Sequence, residues 1–298
     1  MRIGYESIQF DRKNIFFLLR PDQYVKNTFI FLPLFFGLKI ANFDLLLKAI
    51  LAFVTFSLIS SAVYIFNDLY DIDQDRLHPT KQHRPLASGA ITQSQSIALM
   101  SALFILGIAL SCALPSSITA IVLAYVALNA LYTLYFKHLP ILDVTIVALC
   151  FVIRIFTGSS ATGVPLSEWI IVMTFLLALF LALAKRRDDV RLFADTGNKM
   201  RRVVDSYSLQ FLDISIASMA SVVIVAYIVY TTSAPVAEDN QGRHLYLTSI
   251  FVILGILRYL QFVFVLHDAG NPTKIVLKDR FMQSTILCWG LSFVFMLY

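Results

Sequence analysis

Apolar stretches of roughly 20 residues recur along the whole of this chain, and no other feature narrows its possible folds so far. A helix of about that length crosses about 30 Å of hydrocarbon. About nine such runs can be placed, at residues 27–43, 46–66, 94–114, 117–136, 139–160, 168–185, 209–231, 246–266 and 282–298. Inside lipid the backbone must satisfy its own hydrogen bonds, so unbroken runs of this length mean helices; barrel strands would be about ten residues of alternating polarity. The expected class is therefore all-α, a polytopic integral membrane protein. A mean hydropathy of +0.74 with 25 phenylalanines in 298 residues excludes an ordinary soluble protein.

Charge sets the expected orientation. The first apolar run, "IFFLL", is short and is followed by Arg20, Asp22 and Lys26, so no cleavable signal is expected and the N-terminus is placed on the cytoplasmic side. With that choice nineteen Lys and Arg residues fall on inner segments and three, Lys39, Lys48 and Arg243, on outer ones. This is the positive-inside pattern. Arg154 and Arg258 remain within spans.

The outer connections are short, whereas the inner ones carry the polar residues. Residues 1–298 accordingly read as one transmembrane domain with its chemistry on the inner face, in loops at about 67–93 and 186–208. Cys112, Cys150 and Cys288 have no C-x-x-C spacing, and the histidines form no H-E-x-x-H. Neither a G-x-G-x-x-G sequence nor a P-loop occurs.

The segment "NDLYDIDQDRLHPTKQHRPLASG", Asn67 to Gly89, stands out against this background. On a helix continuing from the second run, Asp68, Asp71 and Asp75 share one face, Asn67 flanks it and Asp73 points away. Three convergent carboxylates repel one another unless a cation joins them, and an all-oxygen set favours Mg²⁺, a metal that commonly bridges carboxylates to substrate phosphates. The competing account is a solvated acidic helix end. Pro79 and Pro85 stiffen the basic loop that follows, from which Lys81, Arg84 and His78 can reach phosphate oxygens.

A second cluster, Lys185, Arg186 and Arg187 with Asp189, stands where the sixth run ends; topological anchoring competes with phosphate binding there. Tyr207 and Asp205 are further candidates in the same loop. Arg154 follows Asp143 by eleven residues, on the same helix face but about 16 Å further along. The two cannot pair directly, so Arg154 is expected to face a polar cavity that can seat an anion. Arg258 is open to function, pairing or snorkelling.

N-D-x-x-D-x-x-x-D, here Asn67, Asp68, Asp71 and Asp75, resembles the first motif of the UbiA prenyltransferase superfamily. "RPDQYVKN" (Arg20 to Asn27), "DRLHPTKQHRPLASG", "HLPILDV" with "FVIRIFTG", "FLALAKRRDDV" and "NPTKIVLKDR" narrow the resemblance to its decaprenyl-phosphate phosphoribosyltransferase branch. Two departures stand out: no second D-x-x-x-D follows the sixth run, and Tyr24 replaces the usual tryptophan.

The resemblance implies nine helices around a central cavity and a Mg²⁺-dependent phosphoribosyltransferase that moves 5-phosphoribose from phosphoribosyl diphosphate to a polyprenyl phosphate. It implies metal ligation by Asn67, Asp68, Asp71 and Asp75, with Lys81 and Arg84 completing the catalytic set. Arg20, Lys26, Asn27, Arg154, Lys185, Arg186 and Tyr207 are the expected substrate-binding residues. The expected location is the bacterial inner membrane. No nucleic-acid partner is expected, and homo-oligomerisation stays open. The competing functions are an aromatic or quinone prenyltransferase of the same superfamily, which the missing second aspartate motif disfavours, and a lipid or solute transporter, for which paired broken helices and detectable halves are wanting.

Overall fold

The apolar runs become helices because neither water nor a neighbouring strand is available to their backbones. The computed structural model describes residues 12–77, 81–196, 206–233 and 244–297. In chain order the helices are α1 (Arg12–Leu19), α2 (Leu32–Phe36), α3 (Phe43–Tyr70), α4 (Ile72–Arg76), α5 (Gln93–Ser111) and α6 (Ser116–Leu134). There follow α7 (Leu142–Thr162), α8 (Glu168–Thr196), α9 (Leu209–Thr232), α10 (Ser249–Gln261), α11 (Pro272–Lys278) and α12 (Arg280–Leu297). Among the described residues, seven helical segments are long and apolar enough to cross a membrane: α3, α5, α6, α7, α8, α9 and the Leu245–Leu266 segment containing α10.

The first expected span is where the structure departs most from the reading of the sequence. Instead of one α-helix over 27–43, a 3₁₀ helix, Pro21–Phe31, runs into the five-residue α2. Eleven residues is long for a 3₁₀ helix. Side chains from elsewhere hold it: Tyr24 and Ser61 hydroxyls meet at 2.8 Å, and the Asn27 amide donates to Ser57 Oγ at 2.9 Å. Pro33 then removes a backbone donor within α2. The ninth expected run forms α12, beginning at Arg280.

Two segments expected on the inner face carry more helix than the sequence suggested. α8 continues through the basic cluster to Thr196, so the loop expected at 186–208 begins as helix. The helix carrying the aspartates is not continuous: α3 ends at Tyr70, Asp71 forms a turn with φ −98° and ψ 9°, and α4 resumes at Ile72. The backbone bonds Asp71 N–H to Asn67 O (3.0 Å) and Asp75 N–H to Asp71 O (2.8 Å) bridge the break. The expected register therefore survives approximately.

Between helices in lipid there is little hydrophobic drive, so packing relies on small residues that let backbones approach. α3 buries Ala49, Ala52, Ser57, Ser60, Ser61 and Ala62. One core joins the 3₁₀ helix, α3, α6 and α7 around Ile30, Phe56, Ile59 and Tyr125; another joins α8, α9 and α10 around Phe180, Leu212, Ile216 and Tyr259. The closest approach is at Gly158 of α7, where a Cβ would lie 1.9 Å from the carbonyl oxygen of Ile30.

Gly158→Val should therefore push α7 off the 3₁₀ helix and cost about 3 kcal/mol. Gly290→Ala, where a new Cβ meets nothing within 4 Å, should be nearly silent. Thermal unfolding of the two variants in detergent measures the difference, and equal melting temperatures would refute the close-packing account.

Candidate active site

A cavity of about 870 Å³ opens among the helices and holds most of the residues the sequence singled out. Along α8 its wall runs from Trp169 to Asp189, about 30 Å at helical rise. Near the first of these it is aromatic, with Phe36, Tyr230, Phe251 and Trp289. At the other end α3 terminates, α4 and the basic loop fold over, and the wall becomes charged.

The carboxylates at that end are met by bases. Asp68 and Asp75 are 3% and 4% exposed, a costly burial for a lone anion. One nitrogen serves both: Arg84 Nη1 donates to Asp68 Oδ1 at 3.0 Å and to Asp75 Oδ2 at 2.6 Å. Arg20 Nη2 donates to Asp68 Oδ1 at 2.5 Å, and Lys81 Nζ lies 3.8 Å from Asp75 Oδ1. Asp73 is exposed and pairs with Arg76 at 3.3 Å, away from the cavity as expected.

Local structure explains these placements. Arg20 occupies the left-handed region, φ 53° and ψ 55°, which turns the chain sharply between α1 and the 3₁₀ helix. Its guanidinium lies over the Tyr64 ring, 5.3 Å from the centroid. The loop carrying Arg84 is anchored by buried Leu86 and Ile91 and turned by Gly89 at φ 78°.

The structure separates Asp71 from the other two. Its Oδ1 accepts from Lys137 Nζ at 2.5 Å, and that ammonium lies 4.6 Å from the Tyr70 ring centroid. Among the described residues no three carboxylates, histidines or cysteines meet as a metal site. The expected three-aspartate focus is thus corrected to a pair, Asp68 and Asp75, while Asn67 Oδ1 accepts from Thr133 Oγ1. The pair still fits a hard divalent cation: two all-oxygen ligands converge on one positively charged atom, the chemistry Mg²⁺ takes with one or two carboxylates plus substrate phosphates.

Deeper in, Arg154 faces the cavity as the sequence suggested. Its Nε donates to Asn27 Oδ1 at 2.8 Å and its Nη1 to Cys150 O at 2.6 Å. Phe56, Phe151 and Tyr125 surround the guanidinium at 5.2, 5.3 and 5.5 Å. Asn27 itself is fully buried and does not line the cavity, so it orients Arg154 instead of meeting a ligand. Lys26, Lys81, Lys185 and Arg186 line the wall.

Asp143 pairs with Arg186, not with Arg154: Arg186 Nη2 lies 2.6 Å from Asp143 Oδ2, and Nη1 donates to Asp189 Oδ2 at 2.7 Å. Tyr207 completes this arrangement from outside the cavity. Its hydroxyl donates to Asp143 Oδ1 at 2.7 Å and accepts from the Ile141 N–H at 2.6 Å. Burial, reinforced by the Asp143 carboxylate, raises the Tyr207 phenol pKa. The bond to Ile141 clasps a β-branched residue at φ 70°, a strained conformation that starts α7. Tyr207 is therefore a positioning residue and not the expected substrate contact.

Arg187 leaves the expected phosphate cluster, donating to Asp213 Oδ1 at 2.5 Å and to Val263 O at 2.9 Å. Arg258 is paired, bonding both Asp279 oxygens at 3.2 and 2.6 Å, and braces α12 to α10. His78 and Asp205 lie outside the described residues. Lys137 and Asp143, the partners of Asp71 and Arg186, were missed. Both sit within or beside "HLPILDV", where a buried-charge pairing signal is absent from local spacing.

Comparison with known proteins agrees with this architecture. Residues 30–285 match the model of the UbiA prenyltransferase family. The decaprenyl-phosphate phosphoribosyltransferase of Corynebacterium glutamicum is 31% identical over 284 residues, covering 94% of this chain and 85% of that protein. Its counterpart in Mycolicibacterium smegmatis is 32% identical, covering 91% and 88%. A solved UbiA homolog from Archaeoglobus fulgidus, bound to DMAPP and Mg²⁺, superposes with a TM-score of 0.68 at 19% identity over 94% of this chain and 99% of that one.

Asp143→Asn should leave the buried Arg186 short of a counter-charge and cost about 3 kcal/mol. Tyr207→Phe should cost less, about 2 kcal/mol, since the two hydrogen bonds of its hydroxyl are lost and packing kept. Thermal unfolding in detergent should rank them in that order; the reverse order would remove Asp143 from its supporting role.

Proposed function

The chain belongs to the UbiA prenyltransferase family, and on that premise we propose that it transfers a 5-phosphoribosyl group from phosphoribosyl diphosphate to a polyprenyl phosphate, releasing diphosphate. One observation carries the choice within the family. Eight basic side chains line the cavity, Arg20, Lys26, Lys81, Arg84, Lys137, Arg154, Lys185 and Arg186, against four acidic ones, Asp68, Asp71, Asp75 and Asp189. That excess suits two anionic substrates at once. A neutral aromatic or quinone acceptor with a prenyl diphosphate donor would bring a single anionic group.

In this reading the bond from ribose C1 to the diphosphate oxygen breaks with its electron pair, and a lipid phosphate oxygen forms the new bond to C1. The acceptor is already anionic at neutral pH, so it needs positioning more than a general base. Arg84 and Arg20 stand where a diphosphate leaving group gains charge, and a guanidinium can grip it with two parallel hydrogen bonds. Arg154, desolvated and held by Asn27, offers a second anion-binding point further in. Asp68 and Asp75 would hold Mg²⁺, which when bound supplies charge that stabilises the departing diphosphate. The aromatic arm accommodates polyprenyl chain.

The same reading treats residues 1–298 as one domain and turns the charged end toward the cytoplasm of a bacterial inner membrane, as the excess of inner-segment Lys and Arg indicates.

Purified protein given radiolabelled phosphoribosyl diphosphate and a polyprenyl phosphate should form labelled lipid in the presence of Mg²⁺. Asp68→Asn should lower the rate about 10²-fold or more, the scale of losing one electrostatic group in a buried site. Label that appears only from a prenyl diphosphate on an aromatic acceptor would overturn the proposal.

A further inference from the structure

Arg84 Nη1 lies within hydrogen-bond reach of one oxygen from each of the two carboxylates best placed to hold a cation. With Arg20 also on Asp68 and Lys81 near Asp75, both anions are neutralised by the protein's own side chains. Asp71 is met in the same manner by Lys137. A divalent cation coming alone to Asp68 and Asp75 must displace a guanidinium and leave it without a counter-ion in a largely desolvated pocket, which is costly. A diphosphate coming alone to this end of the cavity meets Arg84, Arg20 and Lys81 already engaged by Asp68 and Asp75. Together, the cation takes the carboxylates and the diphosphate takes the bases.

We propose that Arg84 is a resident counter-ion that exchanges partners: it neutralises Asp68 and Asp75, then passes to diphosphate oxygens when a divalent cation takes its place, so that cation and diphosphate bind as a coupled pair. This rests on the reading of the site as one for a diphosphate ester. By linkage the coupling is reciprocal, each ligand tightening the other by the same factor. Arg suits the exchange because its planar fork pairs equally with carboxylate and phosphate geometry and keeps its charge throughout. A solvated acidic helix end predicts neither the exchange nor the coupling, and a preformed metal cage that diphosphate joins without displacing Arg84 predicts that the diphosphate effect survives in Arg84→Gln.

The test is Mn²⁺ titration of the purified full chain in detergent, followed by the loss of the free-ion paramagnetic resonance signal, with and without inorganic diphosphate. Mn²⁺ alone should bind Arg84→Gln at least roughly fivefold more tightly than wild type, the lower end of typical site–site coupling. Arg76→Gln removes the same charge beside the site from a residue bonded to Asp73 and Ala87 O, and should change Mn²⁺ affinity by less than about twofold. Diphosphate should tighten Mn²⁺ binding strongly in wild type and much less in Arg84→Gln; complexation in solution is common to both proteins and cancels. Where Arg84→Gln does not survive purification, Arg84→Lys, which keeps the charge but loses the fork, should show the same changes in smaller measure.

Equal or weaker Mn²⁺ affinity in the Arg84 variant overturns the exchange, as does an Arg76 variant that gains as much. If coupling to inorganic diphosphate appears as described but phosphoribosyl diphosphate fails to compete for the site, the exchange stands and the donor assignment falls.

Discussion

Charge placed in an apolar bundle has to be matched within the protein, because removing one partner of a buried pair leaves an ion that low-dielectric surroundings cannot solvate. The charged end of this structure is organised by that requirement. Asp68 and Asp75 share Arg84, Asp71 takes Lys137, and Asp143 with Asp189 takes Arg186. Apart from Arg186–Asp189, which lies within one turn of α8, each pairing joins different segments of the chain. The ion pairs therefore set the positions of α3, α4, the basic loop and α7 relative to one another, and a site for anions is the result.

The helices around this end supply depth and support. Small residues on α3 and Gly158 on α7 bring backbones together, and the 3₁₀ helix threads between them with Asn27 pointed at Arg154. Replacing an α-helix by a 3₁₀ helix at this place lengthens the rise per residue. Lys26 reaches the cavity wall while Asn27, its neighbour, is buried as a strut. Binding and bracing thus alternate along one short segment.

The membrane class and most of the helices were legible in the sequence, since apolarity over roughly 20 residues has few other physical explanations. The first crossing was not. Residues 27–43 are as apolar as an α-helix requires, and what imposes the 3₁₀ form is the grip of Ser57 and Arg154, 30 and 127 residues from Asn27. The same limit applied at the site. Helical spacing correctly turned Asp68 and Asp75 inward and Asp73 outward, but it could not foresee Lys137, 66 residues beyond Asp71, drawing that carboxylate aside. Tyr207 looked like a ligand contact because it is polar and near a basic loop; its bonds to Asp143 and Ile141 depend on how α7 begins.

α7 carries Asp143 in its first turn and Arg154 eleven residues later, on a single unbroken helix. Asp143 fixes Arg186, so one rigid helix holds Arg154 and the anchor of Arg186 about 16 Å apart along its axis. In the proposed reaction α7 is then a rigid ruler between Arg154 and the anchor of Arg186, and chain length at the aromatic end is a separate quantity that this ruler does not measure.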